Sequence, residues 1–323
     1  MRLGKVRYES KYLTIKYFSE NKGWSIRWMC QQLKITRAAY YKWLNREVPE
    51  AEKENILIAQ LIQEYDELFK HILGYRRMTD QINKFNYKKY SKNRIHRIMK
   101  MLNIHSVIRK KRKKYKSCAP ENVAENLLNR DFYAKAPNQK WVTDVTEFKW
   151  YEGSEVHKLY LSAILDLYDL YPVAWVVSRK NDNKLVLDTF KKAIQDYPDA
   201  KPIFHSDRGF QYTSKVFQNK LQSQGIQQSM SRVGHCIDNG PAENFWSIVK
   251  SEMYYLNTFS DEDSLRKAIA EYIRFYSVDR IQKRFMGKTP LEVRTEALST
   301  DTPTQYPIPV NKRIEKYKAR FAA

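Results

Sequence analysis

Residues 140–150 read KWVTDVTEFKW. β-branched and aromatic residues alternate with polar ones, which predicts a half-buried strand. One residue does not suit that reading: Asp144, set inside the strand and flanked by Val142 and Val145. Working downstream, residues 159–167 and 173–178 predict two more strands, joined by a turn around 169–172. Residues 183–195 predict a helix, 201–205 a fourth strand, 214–224 a helix and 227–230 a fifth strand. A stretch at 232–239, expected to be mobile, leads into a long helix at 241–254 with Pro241 in its first turn, and a further helix follows at 262–276. Three strands in a meander followed by alternating helices and strands point to an α/β or α+β sheet flanked by helices.

Upstream the texture is helical and basic. Residues 25–33, SIRWMCQQL, place Ile26, Met29 and Leu33 on one face behind a Ser25 cap. Thr36 then caps RAAYYKWLN, which makes a helix-turn-helix whose second helix would offer Arg37, Tyr40, Tyr41 and Lys42 to DNA. An amphipathic helix at 52–69, a helix opening after Gly74 and a third after the Ser91 cap form a second such module. Its basic face carries Lys92, Arg94, Arg97 and Lys100. The run RKKRKKYK, which includes Arg109, Lys110, Lys111 and Arg112, reads as a phosphate-tracking tether or a solvated linker. The divisions expected are 1–48, 49–116, a linker at 117–137, a core at 138–298 and a basic tail at 299–323.

Composition agrees with that division. The 323 residues carry a net charge of +22. Residues 1–120 hold 29 Lys and Arg against 10 Asp and Glu, and the remainder 29 against 26. A basic front on a nearly neutral remainder points to a polyanion, nucleic acid before anionic membrane. A hydrophobic share of 42% excludes wholesale disorder. No apolar run is long enough to cross a bilayer and no signal segment is evident, so a cytoplasmic protein is expected. Three scattered cysteines exclude a disulfide framework.

Two more acids join Asp144. Asp207 lies at a strand exit in FHSDRG, and Glu243 opens the long helix in DNGPAENFW. Strand ends and helix starts are where sheet proteins gather catalytic groups, and phosphoryl transfer uses carboxylates to hold divalent cations. Each acid has an ordinary reading too: an exposed strand acid, an Asx-turn residue, and a helix N-terminal acid favoured by the macrodipole.

The segments WVTDVTEF, HSDRGFQYTS and SRVGHCIDNGPAENFWSIVKSE resemble the catalytic core of DDE transposases, the retroviral-integrase-like branch of the RNase H fold. More narrowly, the chain resembles the second-frame (OrfB) product of the IS-three family of bacterial insertion sequences. Asp207 and Glu243 have 35 residues between them, matching that family's D,D(35)E spacing. Lys250, seven residues past Glu243, matches its basic residue on the same helix. GYRRMTDQINKF and RIHRIMKMLNI look like its helix-turn-helix, and FYSVDRIQKRFMGKTPLEV like its closing Y-N-x-x-R-x-H…G-x-T-P motif. Ser277 and Gln282 depart from that motif.

The resemblance implies an RNase H-like core with a mixed five-stranded sheet, preceded by all-α DNA-binding modules. It implies that Asp144, Asp207 and Glu243 hold Mg²⁺, or Mn²⁺ in vitro, and that Lys250 contacts DNA near the scissile phosphate. The activity implied is a DNA nuclease and polynucleotidyl transferase: water frees a 3′-OH at an element end, and that 3′-OH attacks another strand, by way of a circular intermediate. Implied partners are double-stranded DNA (terminal inverted repeats and target), further copies of the chain on paired ends, and an OrfA-type partner. No segment of OrfA type is seen ahead of the OrfB-like start, so a frameshifted fusion stays open as the active form. A nucleoid-associated bacterial protein is expected.

Two other functions fit less well. A non-catalytic DNA-binding regulator predicts a broken trio, and a nuclease without strand transfer has no need of the basic front. Asp166 is expected to be structural, and His205, Gln211 and Tyr212 to lie beside the site or pack a strand end. His235 and Cys236 lack two further ligands at zinc spacing, and Trp246 is either core or a wedge against DNA.

Overall fold

A computed structural model describes residues 8–47, 49–108, 125–232 and 236–308. The basic run with Arg109, Lys110, Lys111 and Arg112, the tail beyond residue 308, and His235 lie outside the described residues. The chain divides into two compact units, residues 1–107 and 108–323.

The first unit holds six helices among its described residues. α1 (Glu9–Lys22), α2 (Ile26–Gln32) and α3 (Arg37–Leu44) close on a small core of Tyr12, Ile15, Met29, Cys30, Tyr40 and Trp43. The expected caps are made: Ser25 Oγ accepts from Trp28 N at 3.4 Å and Thr36 Oγ1 from Ala39 N at 3.2 Å. α4 (Glu50–Leu68), α5 (Tyr75–Phe85) and α6 (Lys92–Met101) pack together, with Ile58, Ile62, Met78, Ile82, Ile95 and Ile98 buried. Ser91 caps α6 through Arg94 N at 3.3 Å.

The second unit is built on a five-stranded sheet of order β3-β2-β1-β4-β5, formed by β1 (Lys140–Glu152), β2 (Glu155–Asp166), β3 (Pro172–Ser178), β4 (Ile203–Ser206) and β5 (Gln227–Met230). β1–β2 and β2–β3 pair antiparallel, and β1–β4 and β4–β5 pair parallel. Its helices are α7 (Asn183–Asp196), α8 (Phe210–Thr213), α9 (Lys215–Ser223), α10 (Gly240–Glu252), α11 (Glu262–Val278) and α12 (Pro290–Leu298). β2 begins four residues before the expected start, because a two-residue turn at Gly153 (φ +58°) lets the Glu152–Glu155 pair close the hairpin.

The period-two alternation of β1 decides what lies on each face. Trp141 joins Phe190, Phe204, Phe217 and Met230 in the core under α7 and α9. Val142, Phe148 and Trp150 join Phe245, Val249 and Ile269 in the core under α10 and α11. Asp144 has the parity of Val142 and so stands on the α10 face.

The long helix expected from Pro241 to Tyr254 ends at Glu252, and Tyr254–Leu256 form a separate 3-10 turn. The stretch expected to be mobile is anchored at its end, where Asp238 is fully buried and Asn239 nearly so. Leu128 and Ala134, from the expected linker, are buried in the core, as is Tyr306, near which Tyr168 Oη donates to Thr304 O at 2.7 Å. Asp166 takes its structural role: it accepts from Asn138 N (2.6 Å), Tyr168 N (3.0 Å) and Arg294 Nη1 (3.2 Å), which ties α12 to the sheet.

Candidate active site

The sheet's register brings the first two acids together. Parallel pairing of β1 with β4 ends at Val142 opposite His205. Two residues further along each strand are Asp144 and Asp207, at the point where β4 gives way to a turn. Such a divergence at the carboxyl end of a parallel strand opens the crevice in which α/β proteins bind ligands. Glu243 arrives from the first turn of α10 and is exposed.

The charge of Asp207 reaches both Asp144 and Glu243. Asp144 is pushed up to about 7, first by burial, then by the charge of Asp207 and more weakly by that of Glu243. Burial raises Asp207, and burial together with Asp207 raises Glu243. Like charges collected in a poorly hydrated place favour a proton or a cation among them. Hydrogen bonds partly offset this at Asp144, where Oδ1 accepts from Val145 N at 2.8 Å and Oδ2 from Trp246 Nε1 at 3.0 Å. Asp207 Oδ1 accepts from Gly209 N at 2.9 Å, so the ordinary Asx-turn reading holds as well. A Cβ on Gly209 would stand 3.1 Å from that same oxygen and 2.9 Å from Gln211 Oε1, so a side chain there would press on the Asp207 carboxylate and displace the Gln211 amide.

The donor chemistry suits a hard divalent cation: carboxylate oxygens with raised proton affinity and mutual repulsion that a cation removes. The cage is not closed, however. Among the described residues no three His, Cys, Asp or Glu side chains are gathered closely enough to hold a metal ion.

Around the trio, His205 is fully buried and held near 4 by burial, with Nδ1 2.8 Å from Ser229 Oγ and Nε2 3.2 Å from Ser231 Oγ. Tyr212 Oη lies 3.1 Å from Thr143 Oγ1, and Gln211 bonds to Asn181. Lys250 lies over the Phe148 ring at 5.5 Å; burial lowers its pKa while Asp144 and Glu147 oppose that shift.

The sequence leaves Trp246 open between core and wedge. The structure gives it both a buried ring and a hydrogen bond to Asp144. Asp238, which the sequence does not single out, accepts from Arg130 Nε (2.5 Å), Arg232 Nε (2.8 Å) and Asn126 Nδ2 (3.0 Å). Burial alone would raise its pKa, but these donors hold it well below the usual carboxylate range.

Comparison with known proteins gives the chain's family. The Integrase core domain family matches residues 134–236 and again 243–298, and the HTH-like domain family matches 52–112. An uncharacterized transposase-like protein of Haemophilus influenzae is 42% identical over 218 residues, covering 67% of this chain and 96% of that protein. The putative transposase InsK for insertion sequence element IS150 of Escherichia coli is 38% identical, covering 69% and 77%. Transposase InsF for insertion sequence IS3A of Escherichia coli is 29% identical, covering 77% and 86%. The chain belongs to the IS-three family of insertion-sequence transposases.

DNA transposition is accordingly its class of function, DNA its class of partner, and the fold is the integrase-type RNase H-like core behind a helix-turn-helix region. In the helical unit of this transposase, Arg37, Tyr41 and Lys42 are exposed on α3 and Lys92 and Arg97 on α6. Tyr40, expected on the DNA face, is instead buried among Tyr12 and Trp43. Arg94, also expected there, donates to Glu54 (2.6 Å), Asn55 (2.8 Å) and the Ala51 carbonyl (3.2 Å), which fastens α6 to α4. None of the described helices is long and apolar enough to cross a membrane.

Proposed function

We propose that this chain is the catalytic transposase of a bacterial insertion sequence, cutting DNA strands at the element's terminal inverted repeats and transferring the freed ends. The observation that carries the reading is the placement of Asp144, Asp207 and Glu243 at a central strand, a strand exit and a helix start, where burial raises all three pKa values and the charge of Asp207 raises those of Asp144 and Glu243 further. These three would hold Mg²⁺, with Mn²⁺ as a substitute. When bound, the cation supplies Lewis acidity that stabilises the charge developing on the phosphate.

The chain's own residues do the rest. Trp246 Nε1 fixes one oxygen of Asp144, leaving its orientation independent of substrate. Lys250, restrained over Phe148 beside Asp144, would contact the DNA phosphate near the scissile bond. The reaction needs no protein nucleophile: water attacks phosphorus to release a 3′-OH, and that 3′-OH attacks another strand, giving a circular intermediate before integration. Arg37, Tyr41, Lys42, Lys92 and Arg97, together with Arg109, Lys110, Lys111 and Arg112 of the basic run, would engage the duplex. The expected divisions at 1–48, 49–116, 117–137, 138–298 and 299–323 belong to the same proposal. So do assembly of several copies on paired ends, help from an OrfA-type partner, and action in the cytoplasm on the bacterial nucleoid.

The test is strand cleavage and joining on DNA bearing the element's ends, in Mg²⁺ and in EDTA, with Glu243→Gln beside the unaltered protein. Metal-dependent joined product from the unaltered protein alone is expected. Tight DNA binding without product, even with an OrfA-type partner added, would replace the reading with that of a regulator.

A further inference from the structure

Asp238 lies five residues before Glu243, in the 3-10 turn Cys236–Asn239 that runs directly into α10. Its side chain is fully buried and collects five hydrogen bonds. Arg130 Nε reaches Oδ1 at 2.5 Å and Arg232 Nη2 the same oxygen at 3.0 Å. Arg232 Nε (2.8 Å), Arg232 N (3.0 Å) and Asn126 Nδ2 (3.0 Å) reach Oδ2. Two carboxylate oxygens offer about four lone-pair sites, so this acid is saturated by protein donors and has nothing left for a metal.

The next residue extends the anchorage to the site itself. Asn239 Nδ2 donates to the carbonyl of Thr143 at 3.1 Å, the residue directly before Asp144. The turn that launches α10 is thereby fixed to the exit of β5 through Arg232, to the segment ahead of β1 through Asn126 and Arg130, and to β1. Glu243, by contrast, is exposed, so its place depends on the backbone that carries it.

We infer that Asp238 is a positioning residue for Glu243: clamped by Arg130 and Arg232, it sets where the first turn of α10 presents the third carboxylate to Asp144 and Asp207. The inference rests on the proposed metal role of Glu243. It assigns a fourth acid to the site that takes no part in ligation. The saturated clamp keeps it from competing for the cation, and its two arginines cancel the extra negative charge that it would otherwise add.

A binding readout tests this without relying on turnover. Mn²⁺ is titrated into the full chain mixed with a random-sequence duplex and followed by electron paramagnetic resonance, for the unaltered protein, Asp238→Asn, Glu243→Gln and the double variant. Asp238→Asn should weaken Mn²⁺ binding about tenfold, and the double variant should bind no more weakly than Glu243→Gln, since residues acting through one group are not additive. Full additivity, or unchanged binding in Asp238→Asn, overturns the inference. If Asp238→Asn fails to fold, Arg130→Lys, which keeps the charge and loses the guanidinium geometry, is judged by the same two criteria with an expected weakening of about threefold. Should Glu243→Gln bind Mn²⁺ as well as the unaltered protein, the proposed metal role itself fails, a result separate from either outcome for Asp238.

Discussion

Burial and two neighbouring carboxylates push Asp144 up to about 7, and this has a measurable consequence for the metal-free protein. The unfolded chain ionises Asp144 near 4, whereas the folded chain holds its proton until about 7. The folded state therefore binds more protons between those values, and this group's contribution to stability falls as pH rises through that window. Asp144→Asn mimics the protonated form. In EDTA its gain in Tm over the unaltered protein should grow from pH 4 to pH 7 and level off above, as measured by thermal unfolding; a gain independent of pH would contradict the assignment. Trp246→Phe removes the donor to Asp144 and part of a buried ring system. A hydrogen bond to a charged group contributes about 1.5–3 kcal/mol to stability and the smaller ring leaves a cavity, so Tm should fall, and single-turnover cleavage measured below that Tm should slow about tenfold if the donor orients Asp144. Asp144 stands out in the sequence as an acid inside an apolar strand, whereas Asp207 and Glu243 sit where a turn and a helix start ordinarily take an acid and are singled out by their order and spacing. Asp238 is not, because Arg130, one of the partners that explain it, lies 108 positions away.

The elements that carry the site are held by buried ion pairs at their ends. The last residue of α10, Glu252, accepts from Arg280 Nε at 2.9 Å and Nη2 at 2.8 Å and from Tyr272 Oη at 2.8 Å. Arg280 is the arginine of the closing motif, so the motif's role in this fold is to fasten α11 to the far end of the helix that bears Glu243 and Lys250. Removing one partner of a buried pair leaves the other charged and unpaired, at a cost of about 3–5 kcal/mol. Arg280→Met should lose that much stability in urea unfolding, with a smaller loss when Glu252→Gln accompanies it. The strands were readable from alternation and α10 from its proline. The α12 helix passed unseen because its signals, Thr289 and Glu292 in a capping box around Pro290, sit in a stretch whose apolar face is short. Its anchor, Arg294, meets Asp166 and Asp169 only after more than a hundred intervening residues have folded.

At the scale of the whole molecule, charge and chemistry are divided along the sequence, between residues 1–120 and the remainder. The basic first third offers exposed Lys92 and Arg97 on α6, while the nearly neutral remainder holds the carboxylates. DNA affinity should therefore fall steeply with salt. Replacing Lys92 and Arg97 by Gln should make the log–log salt slope shallower by about 1.8, at about 0.9 for each phosphate no longer neutralised. Glu243→Gln should leave that slope unchanged; fluorescence anisotropy against salt concentration reads both. The basic front was legible from composition alone, since net charge survives any folding. Which of its cations face solvent was not: Arg94 has the spacing of a surface residue, yet α4 supplies Glu54 and Asn55 to take it.

The measurement that bears most directly on the central claim is the location of Mn²⁺ by anomalous scattering in crystals of the protein with end-bearing DNA. A peak bounded by the carboxylates of Asp144 and Asp207, with Glu243 brought in to complete it, is expected. An ordered Mn²⁺ elsewhere, with that place empty, would contradict the claim.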